Sequence, residues 1–182
     1  MTRRDTRLES EGAEFLVLGQ LLILRIPAYK TYTNMPGYDV IAVNPDRNRV
    51  ARISVKSRWS TEASQFMIKN FDCDFVVVAK LNRGMPSDTT AARSPEFFVL
   101  PIGIVKRAPR SKGWNRVTFG AIPNFRKYQD RWDLIRTFLS RSEEQSRPSA
   151  RGLTRHSTPT RARTAHARKK GDRAVPWHTG KS

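Results

Sequence analysis

Three runs follow one another without a gap: Tyr38-Asp39-Val40-Ile41-Ala42-Val43-Asn44, then Pro45-Asp46-Arg47-Asn48, then Arg49-Val50-Ala51-Arg52-Ile53-Ser54-Val55-Lys56-Ser57. The outer two are rich in β-branched residues, which suit a pleated, half-buried surface. The middle one is turn chemistry, with Pro to preset φ and Asp and Asn to bond the local backbone. Together they predict a β-hairpin. With a four-residue loop, Asn44 faces Arg49, and Asp39 then falls opposite Ser54. Opposed residues point to one face of a sheet, as do residues two apart on a strand. Asp39, Ser54 and Lys56 therefore share a face in this register, and a slip of one residue would separate them.

Working outward, apolar residues at Leu8, Phe15, Leu18 and Leu22 have helical spacing, and Pro27 ends the run. A helix is expected over 7–25, opened by a capping box at Thr6 and Glu9. A short strand is expected over 28–33. The apolar runs 75–81 and 97–101 predict buried strands. The polar linker 82–95, with Gly84, Pro86 and Pro95, predicts a loop. A further strand is expected over 117–122. Tyr128, Trp132, Ile135 and Leu139 predict a closing helix over 124–139, with core packing favoured over a stacking surface for nucleic acid. The sum is a mixed α/β fold.

Charge divides the chain. Lys and Arg number 34 and Asp and Glu 16, a formal net charge of +18. From Gln145 to Ser182 there are ten basic residues and one acid, Asp172, with few large apolar side chains. Such a segment cannot bury enough apolar surface to offset the entropy of ordering it. The expected organisation is a folded domain over 1–144 and a disordered basic tail over 145–182. A strongly cationic chain points to a polyanionic partner, nucleic acid first.

Several chemistries are excluded. The single cysteine, Cys73, can form no internal disulfide and no cysteine-rich zinc site. All three histidines lie in the tail, so 1–144 has no Ser-His-Asp or Cys-His triad and no histidine zinc site. No phosphate-loop motif is present. The stretch from Phe15 to Ile26 is interrupted by Gln20 and Arg25 and is too short to cross a membrane. No signal peptide is expected from the N-terminal residues, and the expected location is cytoplasmic. Chemistry in the folded part must use carboxylates, lysine and a metal ion. A carboxylate holds a hard cation such as Mg²⁺, and a nearby lysine offsets charge on phosphate. An ordinary cross-strand polar pair has the same spacing.

Glu11-Gly12-Ala13-Glu14, the apolar helix, Gly37-Tyr38-Asp39 and Ile53-Ser54-Val55-Lys56-Ser57-Arg58-Trp59 together resemble the PD-(D/E)XK nuclease superfamily. The small branch near the intron-associated homing endonucleases is the most similar. Phe71-Asp72-Cys73-Asp74-Phe75-Val76-Val77-Val78-Ala79 and Glu96-Phe97-Phe98-Val99-Leu100-Pro101 resemble the same branch. The resemblance spans about residues 8–140. It implies a restriction-endonuclease-like mixed sheet flanked by helices, and metal-dependent hydrolysis of DNA with Mg²⁺ or Mn²⁺. Glu14 matches the helix acid, Asp39 the strand acid and Lys56 the lysine. Ser54 stands where the superfamily has Glu or Gln, so it is at most a weak metal ligand, and the alternative is an inactive nucleic-acid-binding module of the same fold. Glu11 and Glu62 are further acids near the motif. Arg52 and Arg58 are candidate phosphate contacts and Trp59 a candidate for stacking on a base. Cutting both strands commonly uses two active sites, which leaves room for a homodimer.

Overall fold

The computed structural model describes residues 6–32, 37–85, 88–110 and 115–141. The tail expected over 145–182 lies outside them. In chain order the elements are α1 (Arg7–Ile23), β1 (Ala28–Lys30), β2 (Val40–Asn44), β3 (Arg49–Arg58), β4 (Gln65–Met67), β5 (Phe75–Lys80), β6 (Arg83–Met85), β7 (Asp88–Ala92), β8 (Glu96–Pro101), α2 (Ile102–Arg107), β9 (Arg116–Thr118) and α3 (Asp133–Ser140).

The main sheet has five strands in the order β1-β2-β3-β5-β8. β2 and β3 are antiparallel with Asn44 opposite Arg49 and Val40 opposite Ile53, the register expected from the turn. The turn itself is a 3₁₀ helix, Pro45–Arg47. Asn44 caps it by accepting from the Arg47 N–H, and Asn48 closes it in the left-handed region. β3 and β5 run parallel, and β8 returns antiparallel on the far side of β5. This is the expected mixed α/β sheet flanked by helices.

β5 has no polar alternation because both its faces are covered. All six of its residues are buried. Phe75, Val77 and Ala79 face a core with Ala13, Val17 and Leu21 of α1 and Ile135 and Leu139 of α3. Val76 and Val78 face a second core with Phe66, Phe98, Leu100, Val105 and Phe125. Each fully buried Val, Leu or Phe contributes on the order of 1.5–3 kcal/mol, so the central strand anchors both layers.

Five expectations need correction. The linker 82–95 is not all loop, since β6 and β7 form an antiparallel hairpin inside it. The strand expected over 117–122 is only β9, followed by a 3₁₀ turn at Phe119–Ala121. The helix expected over 124–139 is two pieces, a 3₁₀ turn at Phe125–Tyr128 and then α3. Asp130, at φ +50°, breaks the run between them. Thr6 makes no side-chain cap on α1. β1 ends at Lys30 rather than continuing to 33.

Candidate active site

α1 lies across the sheet with Ala13, Val17 and Leu21 wholly buried. Glu14 follows Ala13 of this buried stripe and lines a cavity beside it. Gly37 lies two residues before Asp39, just ahead of β2, at φ +106°. A Cβ added there would meet the Asp72 carbonyl oxygen at 2.8 Å. The glycine therefore lets the chain pass close to the segment before β5 as it enters β2. Asp39 then takes its place opposite Ser54, and its backbone N–H donates to the Ile53 carbonyl at 2.9 Å.

The Asp39 carboxylate is fixed through one oxygen. Oδ2 accepts from the Val55 N–H at 2.6 Å and from the Ser54 hydroxyl at 3.3 Å. Ser54 is 2% exposed, and it does not line the adjoining cavity. That cavity, about 320 Å³, is lined by Glu14, Asp39, Lys56 and Arg58, with Glu9, Ser10 and Ser57 among its other walls. Three elements distant in sequence thus bring the helix acid, the strand acid and the lysine to one space. The Nε of Arg58 is buried with no acceptor.

A second cavity, about 470 Å³, opens on the other side of Glu14 and Asp39 and is lined by Arg7, Glu11, Lys30 and Tyr32. Here stands a residue that the sequence did not single out. The Lys30 ammonium bridges Glu11 Oε1 and Glu14 Oε2, both at 2.9 Å, and lies over the rings of Phe15 and Tyr32. The hydrogen bond to Glu11, then the one to Glu14, holds this ammonium well above the usual lysine range. Lys30 occupies Glu14 as a small cation would. Among the described residues no group of three or more His, Cys, Asp or Glu side chains could hold a metal ion. Glu14 and Asp39, with Glu9 on the same wall, are the carboxylates that share the cavity with Lys56.

The remaining sequence candidates lie elsewhere. Arg52 is held by Asp72 and by Asp74, whose Oδ2 also accepts the Arg52 N–H at 2.8 Å. Those bonds, that to Asp74 foremost, raise the guanidinium further. Trp59 packs half-buried against the α1 core. Glu62 lines a separate cavity near Phe119 and Phe125. Cys73 is buried near Lys56, and burial pushes its thiol up to about 11, so no thiolate is offered here.

No protein-family model matches the chain. No curated protein matches its sequence. Among solved structures, the backbone is similar to that of a bacterial homing endonuclease, at 18% identity and a TM-score of 0.48. The alignment covers 79% of this chain and 98% of that one. It is also similar to the Holliday junction resolvase of Archaeoglobus fulgidus, an archaeal hyperthermophile, at 16% identity and a TM-score of 0.43, covering 63% of this chain and 88% of that one. These likenesses concern the course of the backbone alone. Among the described residues no helix is long and apolar enough to cross a membrane.

Proposed function

We propose that residues 1–144 form a metal-dependent DNA endonuclease that hydrolyses phosphodiester bonds at the cavity lined by Glu14, Asp39 and Lys56. The observation that carries this reading is the meeting of these three side chains around one space, together with the resemblance of their sequence context to the PD-(D/E)XK superfamily. The donor set suits Mg²⁺ or Mn²⁺. A hard cation of this kind keeps several waters and takes one or two carboxylates plus substrate phosphate. Glu14 and Asp39 would supply those carboxylates, and the ion, when bound, would lower the pKa of a water and polarise the phosphate.

The chain's own groups do the rest. Val55 N–H and Ser54 hold Asp39 in one orientation, so little rotamer freedom is lost when it engages the site. Ser54 acts through Asp39 and is a positioning residue rather than a ligand. Lys56 brings a positive charge to the same cavity, where it can orient water or offset charge that develops on phosphate. Arg58 lines the same cavity, and its guanidinium can donate to a phosphate oxygen there. Arg52 is already matched by two carboxylates and contributes less to phosphate contact. The basic segment 145–182 adds an electrostatic hold that is independent of sequence.

One observation favours a second reading, a nucleic-acid-binding module that does not cut. Lys30 neutralises Glu14, and Ser54 brings no charge. Supercoiled plasmid with Mg²⁺ or Mn²⁺ decides between them. The parent should nick the plasmid, and Asp39→Asn and Lys56→Met should not, while both variants still bind and fold. Binding without nicking at any metal concentration would leave the module as the correct reading.

A further inference from the structure

A further polar cavity adjoins the candidate site on the Lys56 face of the sheet. On β3 and β5 Arg58 lies opposite Lys80, and Lys80 lies opposite Glu96 on β8. Opposed residues share a face, and Lys56 is two positions from Arg58 on that same face. Lys80 is therefore two residues along and one strand across from Lys56, roughly 8 Å between backbones at the usual strand rise and spacing. The cavity holds about 520 Å³ and is lined by Thr61, Lys80, Asn82, Arg93, Ser94, Glu96 and Arg126.

This lining mixes unspent donors with an unspent acceptor. Asn82 is 3% exposed. Its amide nitrogen donates to the Ser94 carbonyl at 2.9 Å and to Glu96 Oε2 at 3.1 Å. Those two bonds fix which way the amide faces, and its Oδ1 is left buried with no donor. Lys80 is 9% exposed, and its ammonium stands 3.7 Å from Glu96 Oε2, an ion pair beyond hydrogen-bond length. Arg126 donates to Glu96 Oε1 at 3.0 Å. Burial pushes the Glu96 carboxyl up, but Asn82, Lys80 and Arg126 together hold it below the usual range. Lys80, Arg93 and Arg126 outnumber the single carboxylate, so the cavity carries a positive balance. A buried polar atom with no partner costs free energy until something satisfies it.

An anion alone would satisfy the cations but would leave Asn82 Oδ1 without a donor. The ligand must carry an acidic group and an N–H or O–H donor within one small body. A nucleotide does so, with a phosphate and a base or sugar donor. A base still paired in a duplex cannot turn its pairing edge into a cavity, whereas an unstacked one can. A neighbouring cavity supports this choice. It shares Thr61, Lys80 and Arg126 with the first and is walled by Phe98, Phe119 and Phe125. Phe125 lies in the core, stacked at 4.3 Å on Phe98 and on Phe119, which leaves half-buried Phe119 as the ring on which a base can stack.

We propose that the cavity formed by Lys80, Asn82, Arg93, Glu96 and Arg126 receives one unpaired nucleotide of the DNA that lies across the Asp39–Lys56 site. The proposal rests on the reading of this chain as a DNA-binding nuclease and adds the structural class of its substrate. DNA with a flipped, bulged or single-stranded nucleotide beside the scissile bond is preferred to a fully paired duplex.

The test uses the full chain in EDTA, so that the result does not depend on whether it cuts. Two 20-bp duplexes are compared at 0.15 M salt, one fully paired and one with a single extrahelical 2-aminopurine. Affinity is read by anisotropy, and the fate of the base by 2-aminopurine fluorescence. The expected result is about tenfold tighter binding of the bulged duplex, with a fluorescence change on binding. Removing any cation weakens binding to every DNA, so the ratio of the two affinities is the readout for variants. Arg93→Gln, at an exposed position, should bring the ratio close to one, as should Lys80→Gln where melting shows it folded. Equal affinity of the parent for both duplexes, or a ratio that survives Arg93→Gln, overturns the proposal. A tenfold ratio in a chain that never nicks plasmid would uphold the pocket while refuting the nuclease.

Discussion

Replacing Lys30 with methionine isolates the competition for Glu14. Methionine keeps most of the unbranched stem over Phe15 and Tyr32 and removes only the charge. A cation entering between Glu14 and Asp39 must first take Glu14 from the Lys30 ammonium, 2.9 Å away. A hydrogen bond to a charged group contributes about 1.5–3 kcal/mol. The low end applies, because Lys30 keeps its second bond to Glu11, which is half exposed. About 1.5 kcal/mol corresponds to roughly tenfold in affinity. Lys30→Met should therefore bind Mn²⁺ about tenfold more tightly than the parent in calorimetric titration. The pH dependence has a definite sign. A lysine raised by its partners stays charged at every pH below its ordinary value near 10.5, and its pairing with ionised carboxylates is lost at the alkaline end only above the raised value. The difference between variant and parent should thus be constant from pH 7 to pH 9. The melting temperature in EDTA should fall, since Glu11 and Glu14 then face each other unpaired, and should recover with metal. Unchanged or weaker Mn²⁺ binding in a folded variant would refute the account of Lys30 as a rival cation.

Ser54→Glu places a carboxylate opposite Asp39 at a position only 2% exposed. It should lower the melting temperature in EDTA and restore it on addition of Mn²⁺, and a variant insensitive to metal would detach position 54 from the site. Gly37→Ala should cost on the order of 1–3 kcal/mol for its strained backbone, with the added Cβ 2.8 Å from the Asp72 carbonyl oxygen. Calorimetric melting reads this cost, and nicking should fall with it because Asp39 follows two residues later. With about six phosphate contacts, log K should fall with log salt at a slope of roughly −5. Deleting 145–182 should flatten that slope, and an unchanged slope would remove the tail from binding.

The hairpin was legible because a short turn of defined chemistry leaves one register, and that register brings Asp39 within a hydrogen bond of Ser54. β5 was legible because six consecutive apolar or long-stemmed residues suit a strand covered on both faces. The segment 82–95 misled for a physical reason. Gly84 and Pro86 read as loop residues in the sequence, and β6 and β7 carry no run of large apolar residues. The segment 124–139 misled because helical spacing survives a break. Tyr128 packs against one core and Trp132, Ile135 and Leu139 against the other, so two short pieces imitate one helix. A left-handed aspartate, Asp130, gives no signal of its own in the chain.

Of the candidate site, the acids and the lysine were legible and their counter-charges were not. Lys30 lies on a three-residue edge strand, and nothing in its neighbourhood in sequence announces a bond to a helix 16 residues earlier. Counting those counter-charges changes how the site works. The two cavities that meet at Glu14 and Asp39 are lined by Glu9, Glu11, Glu14 and Asp39 and by Arg7, Lys30, Lys56 and Arg58. Four carboxylates meet four cations, so the site is neutral before any ligand arrives, within a chain of net charge +18. A neutral site offers little long-range attraction to a free divalent ion. A phosphodiester adds one negative charge beside Lys56 and Arg58 and engages those cations. The acids and the phosphate oxygens then form one donor set, as expected for an ion held by one or two carboxylates and a substrate phosphate. Metal and DNA should on this argument bind cooperatively, each raising the affinity for the other by the same factor. Mn²⁺ titrated with and without a saturating short duplex, using Ca²⁺ as a second cation should Mn²⁺ support cutting, measures that factor directly. Equal affinities in the two titrations would mean that the charge balance around Glu14 and Asp39 does not govern metal binding.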